Sequence, residues 1–141
     1  MSLAIGAQGT LFKIGNGAST EVFTTIPECT KVVAPNVKFD LLEVTSHDSL
    51  GGFKEYLPGL ADGENATADF WFVPQNTMHQ GLRTDSYAKT KRNFNMVFPG
   101  GSTGATIAFT AYIVNLNPQA DAGAVLKNAI TAKVTGMPVW T

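Results

Sequence analysis

The chain has 141 residues, a length suited to one domain, and ten basic against eleven acidic side chains leave a formal net charge of −1. Charged residues make up only 15% of it, against about 25% in an average protein, which excludes a nucleic-acid binder that works by neutralising phosphates. The 44% apolar content excludes a disordered chain, and so charge-poor a surface suits burial against partner subunits. The single cysteine, Cys29, excludes an internal disulfide framework and a multi-cysteine zinc site. No apolar run approaches the ~18 residues that span a bilayer, and the first residues lack the basic and apolar regions of a secretion signal. The expectation is an intracellular, assembling protein with no membrane role.

Fourteen glycines and seven prolines punctuate short segments rich in Val, Ile, Thr and Phe, the pattern of an all-β sandwich or barrel. The first eight residues, small and apolar, form an arm with little reason to fold alone. Residues 9–15 and 21–26 flank Gly15-Asn16-Gly17 and predict a hairpin. A third strand is expected over 36–45 and a fourth over 64–73, where Ala66, Ala68, Phe70 and Phe72 share one face and Thr67, Asp69 and Trp71 the other. Between them, residues 46–60 have no clear periodicity yet carry Leu50, Phe53, Tyr56, Leu57 and Leu60. A long loop of that composition needs an apolar partner, either its own domain or a neighbouring subunit.

Thr77 with Gln80 fits a capping box and Pro74 blocks the preceding strand, which predicts one helix over 77–90. The basic run Lys89-Thr-Lys-Arg92 would then complement the dipole at its C-terminal end. Strands are expected over 93–98 and 105–115, the latter with Ile107, Phe109, Ala111 and Ile113 on its apolar face, and Gly100–Gly104 reads as the β-turn between them. A closing strand over 124–135 sets Leu126, Ile130 and Val134 opposite Lys127 and Lys133. With no βαβ alternation, a parallel sheet is not expected.

No catalytic constellation emerges from these residues. His47 and His79 stand apart in metal-binding terms, and a metal site needs at least three convergent ligands. Cys29 follows Glu28, whose carboxylate would raise the thiol pKa and oppose a nucleophilic role. Gly100-Gly-Ser-Thr-Gly104 lacks the lysine of a phosphate loop. Neither catalysis, cofactor nor metal is therefore expected. A hydrolase built on His79 or Asp48 is the weakest reading; a binding module with Trp71, Tyr56 or Trp140 as stacking platforms is the alternative of another class.

Several stretches, in order, carry a family resemblance: Ala7-Gln-Gly-Thr-Leu-Phe-Lys-Ile-Gly15, Glu43-Val-Thr-Ser-His-Asp-Ser49, Gly52-Phe-Lys-Glu-Tyr-Leu-Pro-Gly-Leu60, Asp69-Phe-Trp-Phe-Val-Pro74, Asn93-Phe-Asn-Met-Val-Phe-Pro-Gly100, Thr106–Ile113 and Lys133-Val-Thr-Gly136. Together they resemble the major tail tube proteins of phages with long non-contractile tails, the lambda-like group, over most of the chain. The resemblance implies a single-domain β-sandwich or half-barrel over 1–141 with one flanking helix, and no appended immunoglobulin-like domain. It further implies six subunits to a ring, stacked rings around a genome conduit, tape-measure and tail-terminator proteins as partners, and a place in the virion tail after assembly in the host cytoplasm. A tail-assembly protein of related fold or a type VI secretion tube protein is the nearest alternative.

On that reading Leu50, Phe53, Tyr56, Leu57 and Leu60 are expected to make inter-subunit contacts. The bore should pass DNA without gripping it. Its candidate acids are Asp40, Glu43, Glu64 and Asp69, with Asp69 favoured for its place on the polar face of its strand.

Overall fold

A computed structural model describes residues 2–100 and 104–141; most of the expected turn at Gly100–Gly104 falls outside them, as does the first residue of the arm. Nine strands and one helix follow in order: β1 (Leu11–Gly15), β2 (Phe23–Thr25), β3 (Cys29–Val33), β4 (Val37–Glu43), β5 (Tyr56–Gly63), β6 (Asn65–Trp71), α1 (Thr77–Ala88), β7 (Lys91–Phe98), β8 (Ala105–Gln119) and β9 (Lys127–Trp140), with a 3₁₀ turn at Leu50–Gly52. Seven strands form one antiparallel sheet in the order β2-β1-β7-β8-β9-β6-β3; β4 and β5 form a separate two-stranded ribbon. The mainly β, single-domain architecture with one flanking helix is the one expected.

Chain connectivity forces this sheet to curl. Laid flat, seven strands would hold β2 and β3 about 29 Å apart at ~4.8 Å per neighbour. Yet Thr25 and Cys29 are joined through Ile26, Pro27 and Glu28, a reach of at most about 15 Å. The two edges therefore swing toward one another and leave a seam, where the Ile26 amide donates to the Phe12 carbonyl at 2.8 Å.

Strand alternation fills the inside of the curve. Phe12 and Ile14, Phe94 and Met96, Ile107 through Ile113 at every second position, Ile130, Ala132 and Val134, and Ala66, Ala68 and Phe70 form one buried cluster. Phe94 stacks between Phe12 and Phe109 at centroid distances of 5.4 and 5.6 Å. Leu82 of α1 joins the cluster. Its burial contributes about 2 kcal/mol by area alone.

Local chemistry sets the helix ends, and differently from expectation. Asn76, not Thr77, is the N-cap: its Oδ1 accepts from the amides of Met78 (2.9 Å) and His79 (3.3 Å), while Gln80 reaches back to donate to the Pro74 carbonyl. Asparagine is among the strongest N-caps, because its short side chain meets the first free amides. At the other end Lys89 adopts φ 56°, ψ 39°, and its amide donates to Ser86 while that of Thr90 donates to Asp85. The helix thus stops at Ala88 in a Schellman turn, and no basic residue lies in its last turn. Arg92 belongs to β7 and forms a bidentate pair with Asp85 of α1, 3.0 and 3.1 Å, while donating to the Asn16 carbonyl at 2.9 Å. It ties the helix to the first hairpin and does not serve the dipole.

Other boundaries also move. No strand was expected over Cys29–Val33, a segment hemmed in by Pro27 and Pro35; pairing with β6 supplies what five residues of pattern could not. The last strand begins at Lys127, which leaves Leu126 outside it and exposed, and continues past 135 to Trp140. It does so by bulging at Gly136 (φ +83°), where β9 slips by two residues against β8 between Thr135 and Val139.

Candidate functional site

A projecting apolar arm replaces the expected loop. Residues 56–60, read as loop, are the first half of β5, which pairs with β4 from Glu43↔Tyr56 to Val37↔Gly63. Pro58 and Gly59 hid that strand. They are tolerated because a ribbon of two strands has a free edge on each side and a register shift opposite, between Phe39 and Leu41. Irregular chain is confined to 44–55, where the Ser49 hydroxyl donates to Glu55 Oε2 at 2.7 Å and the Glu55 amide donates to Thr45 Oγ1 at 2.8 Å.

All five expected contact residues lie on this arm, and all are exposed: Leu50 and Leu60 at 90%, Phe53 at 76%, Leu57 at 55% and Tyr56 at 48%. Sequence reasoning missed their neighbours. Val37, Phe39, Leu41, Leu42 and Val44 are exposed as well, and β4 has no buried residue at all. Its alternation hints at a core face, but no core lies on either side. A bare ribbon of this kind is marginal in water, and contiguous exposed apolar side chains are typical of interaction surfaces.

The arm is rooted where β5 turns into β6. Gly63 is buried there, with room for a Cβ only 3.0 Å from Val134 Cγ1. The Val134 amide donates to the Glu64 carbonyl at 3.0 Å, and Lys133 Nζ donates to both carboxylate oxygens of Asp62 at 2.9 and 3.0 Å.

The four candidate acids do not share one surface. Asp40 and Glu43 lie together on β4; Asp69 is half-buried on β6, across from Lys31 of β3 and Ala129 of β9. Glu64, at the root, accepts from Asn36 Nδ2 at 3.0 Å and sits 4.0 Å from Lys38 Nζ.

His79 and Cys29 have structural surroundings. His79, 2% exposed, accepts at Nδ1 from the Val73 amide and donates through Nε2 to the Pro27 carbonyl, each at 3.1 Å, with its ring 4.6 Å from that of Phe70. Those bonds pin α1 to the turn that leads into β3. Burial pushes the Cys29 thiol up to about 11; the expected direction holds, but desolvation is the cause and not the Glu28 carboxylate. His47 lies exposed in the arm's turn. Among the described residues no three His, Cys, Asp or Glu side chains converge as a metal site, and no helix is long and apolar enough to cross a membrane.

Beside the seam, β3 and residues 5–10 wall a groove of about 650 Å³ that also touches Phe98 and Pro99. Among the described residues β3 pairs only with β6, which leaves its other edge free.

The sequence matches no family model and no curated protein. Solved structures do match, end to end. A chain from the tail of an empty gene transfer agent particle, computed with helical refinement and C6 symmetry, aligns at TM-score 0.80 with 17% identity over 98% of this chain and 99% of that one. The chain has the tail-tube fold. The SPP1 tail tube aligns at TM-score 0.72, 13% identity, over 97% of this chain and 78% of its own. The sheath/tube terminator of an extracellular contractile injection system aligns at 0.76, 16% identity, over 99% and 98%. In the tail-tube fold, then, the seven-stranded sheet and α1 form the body, and β4–β5 is the part of this chain left without a core of its own.

Proposed function

We propose that this chain is the structural subunit of a virion tail tube, assembling into stacked hexameric rings around a bore that conducts the genome, without catalysis. The observation that carries the reading is the exposed apolar arm on a body whose fold matches tail components over nearly its whole length. A head-to-tail ring is a heterologous interface, and stacking it along an axis gives an open filament. The arm residues Leu50, Phe53, Tyr56, Leu57 and Leu60 are then buried between copies. The N-terminal arm, exposed from Ser2 to Gly9, orders against a neighbour. Tape-measure and tail terminator proteins are its partners, and DNA passes the bore without specific binding. Of the candidate acids, Glu64 and Asp69, which lie off the ribbon, are proposed to line it, whereas Asp40 and Glu43 belong to the arm.

Size-exclusion chromatography and negative-stain microscopy of purified protein test this: tubes or stacked rings are the expected result. A soluble monomer at every concentration that binds a glycan would reject it in favour of the binding-module reading. The likeness to a terminator supports a second reading, a protein that caps a tube. Single rings that never stack would favour it.

A further inference from the structure

The subunit has more surface than its mass requires. A compact 15.0 kDa monomer exposes about 7,000 Å², whereas this chain exposes 9535 Å². The excess, roughly 2,500 Å², equals about three of the ~800 Å² patches that one partner contributes to a stable interface.

Charge divides along the same line as exposure. Residues 37–63, the arm, hold two bases against five acids, a net −3; the rest of the chain holds eight bases against six acids, a net +2. Asp40, Glu43 and Asp48 have no ion-pair partner among the described residues. The seam groove has the opposite character: its walls include Lys31, Ile5, Val32 and Phe98, and no acidic side chain. It also runs along the free edge of β3, whose unpaired backbone groups are an invitation to another strand.

We propose that the β4–β5 arm of one copy lies in the β3 groove of the next, with its apolar side chains against Ile5, Val32 and Phe98 and its acids facing Lys31. This rests on the tube reading and adds to it the receptor for the arm. Both partners gain: the ribbon acquires the core it lacks, and the free edge of β3 acquires a neighbour. The groove also gives the N-terminal segment a place in the contact, since residues 5–10 form one of its walls.

Mixed assembly of Thr30→Cys subunits with Leu57→Cys subunits tests the placement. A short bismaleimide should join the two kinds of subunit in assembled material and not in dissociated protein, while Tyr87→Cys on the outer face of α1 should give no product with Thr30→Cys. Independently, Lys31→Glu should raise the concentration needed for assembly at least about tenfold at low salt, because like charges then face each other. The double variant Lys31→Glu/Asp40→Lys should recover most of that loss. Assembled tubes with no 30–57 product, or normal assembly of Lys31→Glu, would overturn the placement and leave the tube reading standing. If the cysteine subunits do not assemble, the Lys31→Glu measurement decides alone. A wild-type chain that never assembles would overturn the tube reading and the placement with it.

Discussion

Lys89 and Cys29 each carry a measurable consequence of where the fold puts them. Lys89 sits in the left-handed region at φ 56°, where a Cβ costs energy and glycine is the usual occupant. Its side chain makes no hydrogen bond or ion pair among the described residues. Lys89→Gly should therefore stabilise the fold by about 0.5–1 kcal/mol, seen as a higher urea midpoint at unchanged slope; a lower midpoint would mean that the lysine side chain is worth more than the strain. Cys29 is the other case. With its thiol raised from 9.0 to about 11 by burial, the reactive thiolate at pH 8 is about a hundredfold scarcer than in the unfolded chain. Iodoacetamide should label native protein that much more slowly than urea-unfolded protein. The linkage runs the same way: the folded-state pKa is the higher one, so this group's contribution to stability is complete below pH 9 and is lost as pH rises from there through about 11. Equal labelling rates in the two states would show that the thiol is open to solvent.

At the scale of elements, the body and the arm answer to different forces. The body has a core of its own, with Phe12, Phe94, Phe109 and Leu82 in one cluster closed by α1, and α1 is held by Asn76, His79 and the Asp85–Arg92 pair. Among the described residues, the arm meets the body at Gly63, at Glu64 and through the Asp62–Lys133 pair. Changing Phe53, Tyr56 and Leu57 together to serine should thus leave the melting temperature of the monomer within about 2 °C, since these side chains bury little in it, while abolishing tubes. Circular dichroism and microscopy of the same preparation check both halves of that expectation. A triple variant that still forms tubes would mean that the arm is not an inter-subunit contact.

For the whole molecule, the proposed hexameric tube would repeat each charge sixfold around a ring, so a few charges would set the potential of its bore. Asp69 is the candidate that belongs to the wall of the body; Asp40 and Glu43 travel with the arm, and Glu64 is already compensated by Lys38 and Asn36. Particles built with Asp69→Lys should keep their tubes but release DNA more slowly, and the delay should shrink as salt rises, because each added cation binds phosphate and is screened by ions. Normal release at every salt concentration would remove Asp69 from the bore.

Period-two alternation, read off the sequence alone, determined the interior. Phe94 and Met96, Ile107 to Ile113, Ala66 to Phe70, and Ile130 and Val134 all face the core as the pattern requires, because strand geometry leaves a side chain only two directions. The punctuation by proline and glycine determined that the protein is β, and the apolar composition of 46–60 marked the arm as something that needs a partner. Only the tertiary structure decided how far β5 extends, since Pro58 and Gly59 are poor strand residues that a free-edged ribbon accepts. It alone decided that Cys29–Val33 is a strand, because that segment owes its state to β6 and not to its own five residues. It also decided that β4 has no inside: alternation names two faces of a strand, but which of them meets a core depends on what the rest of the chain, or another copy of it, brings alongside.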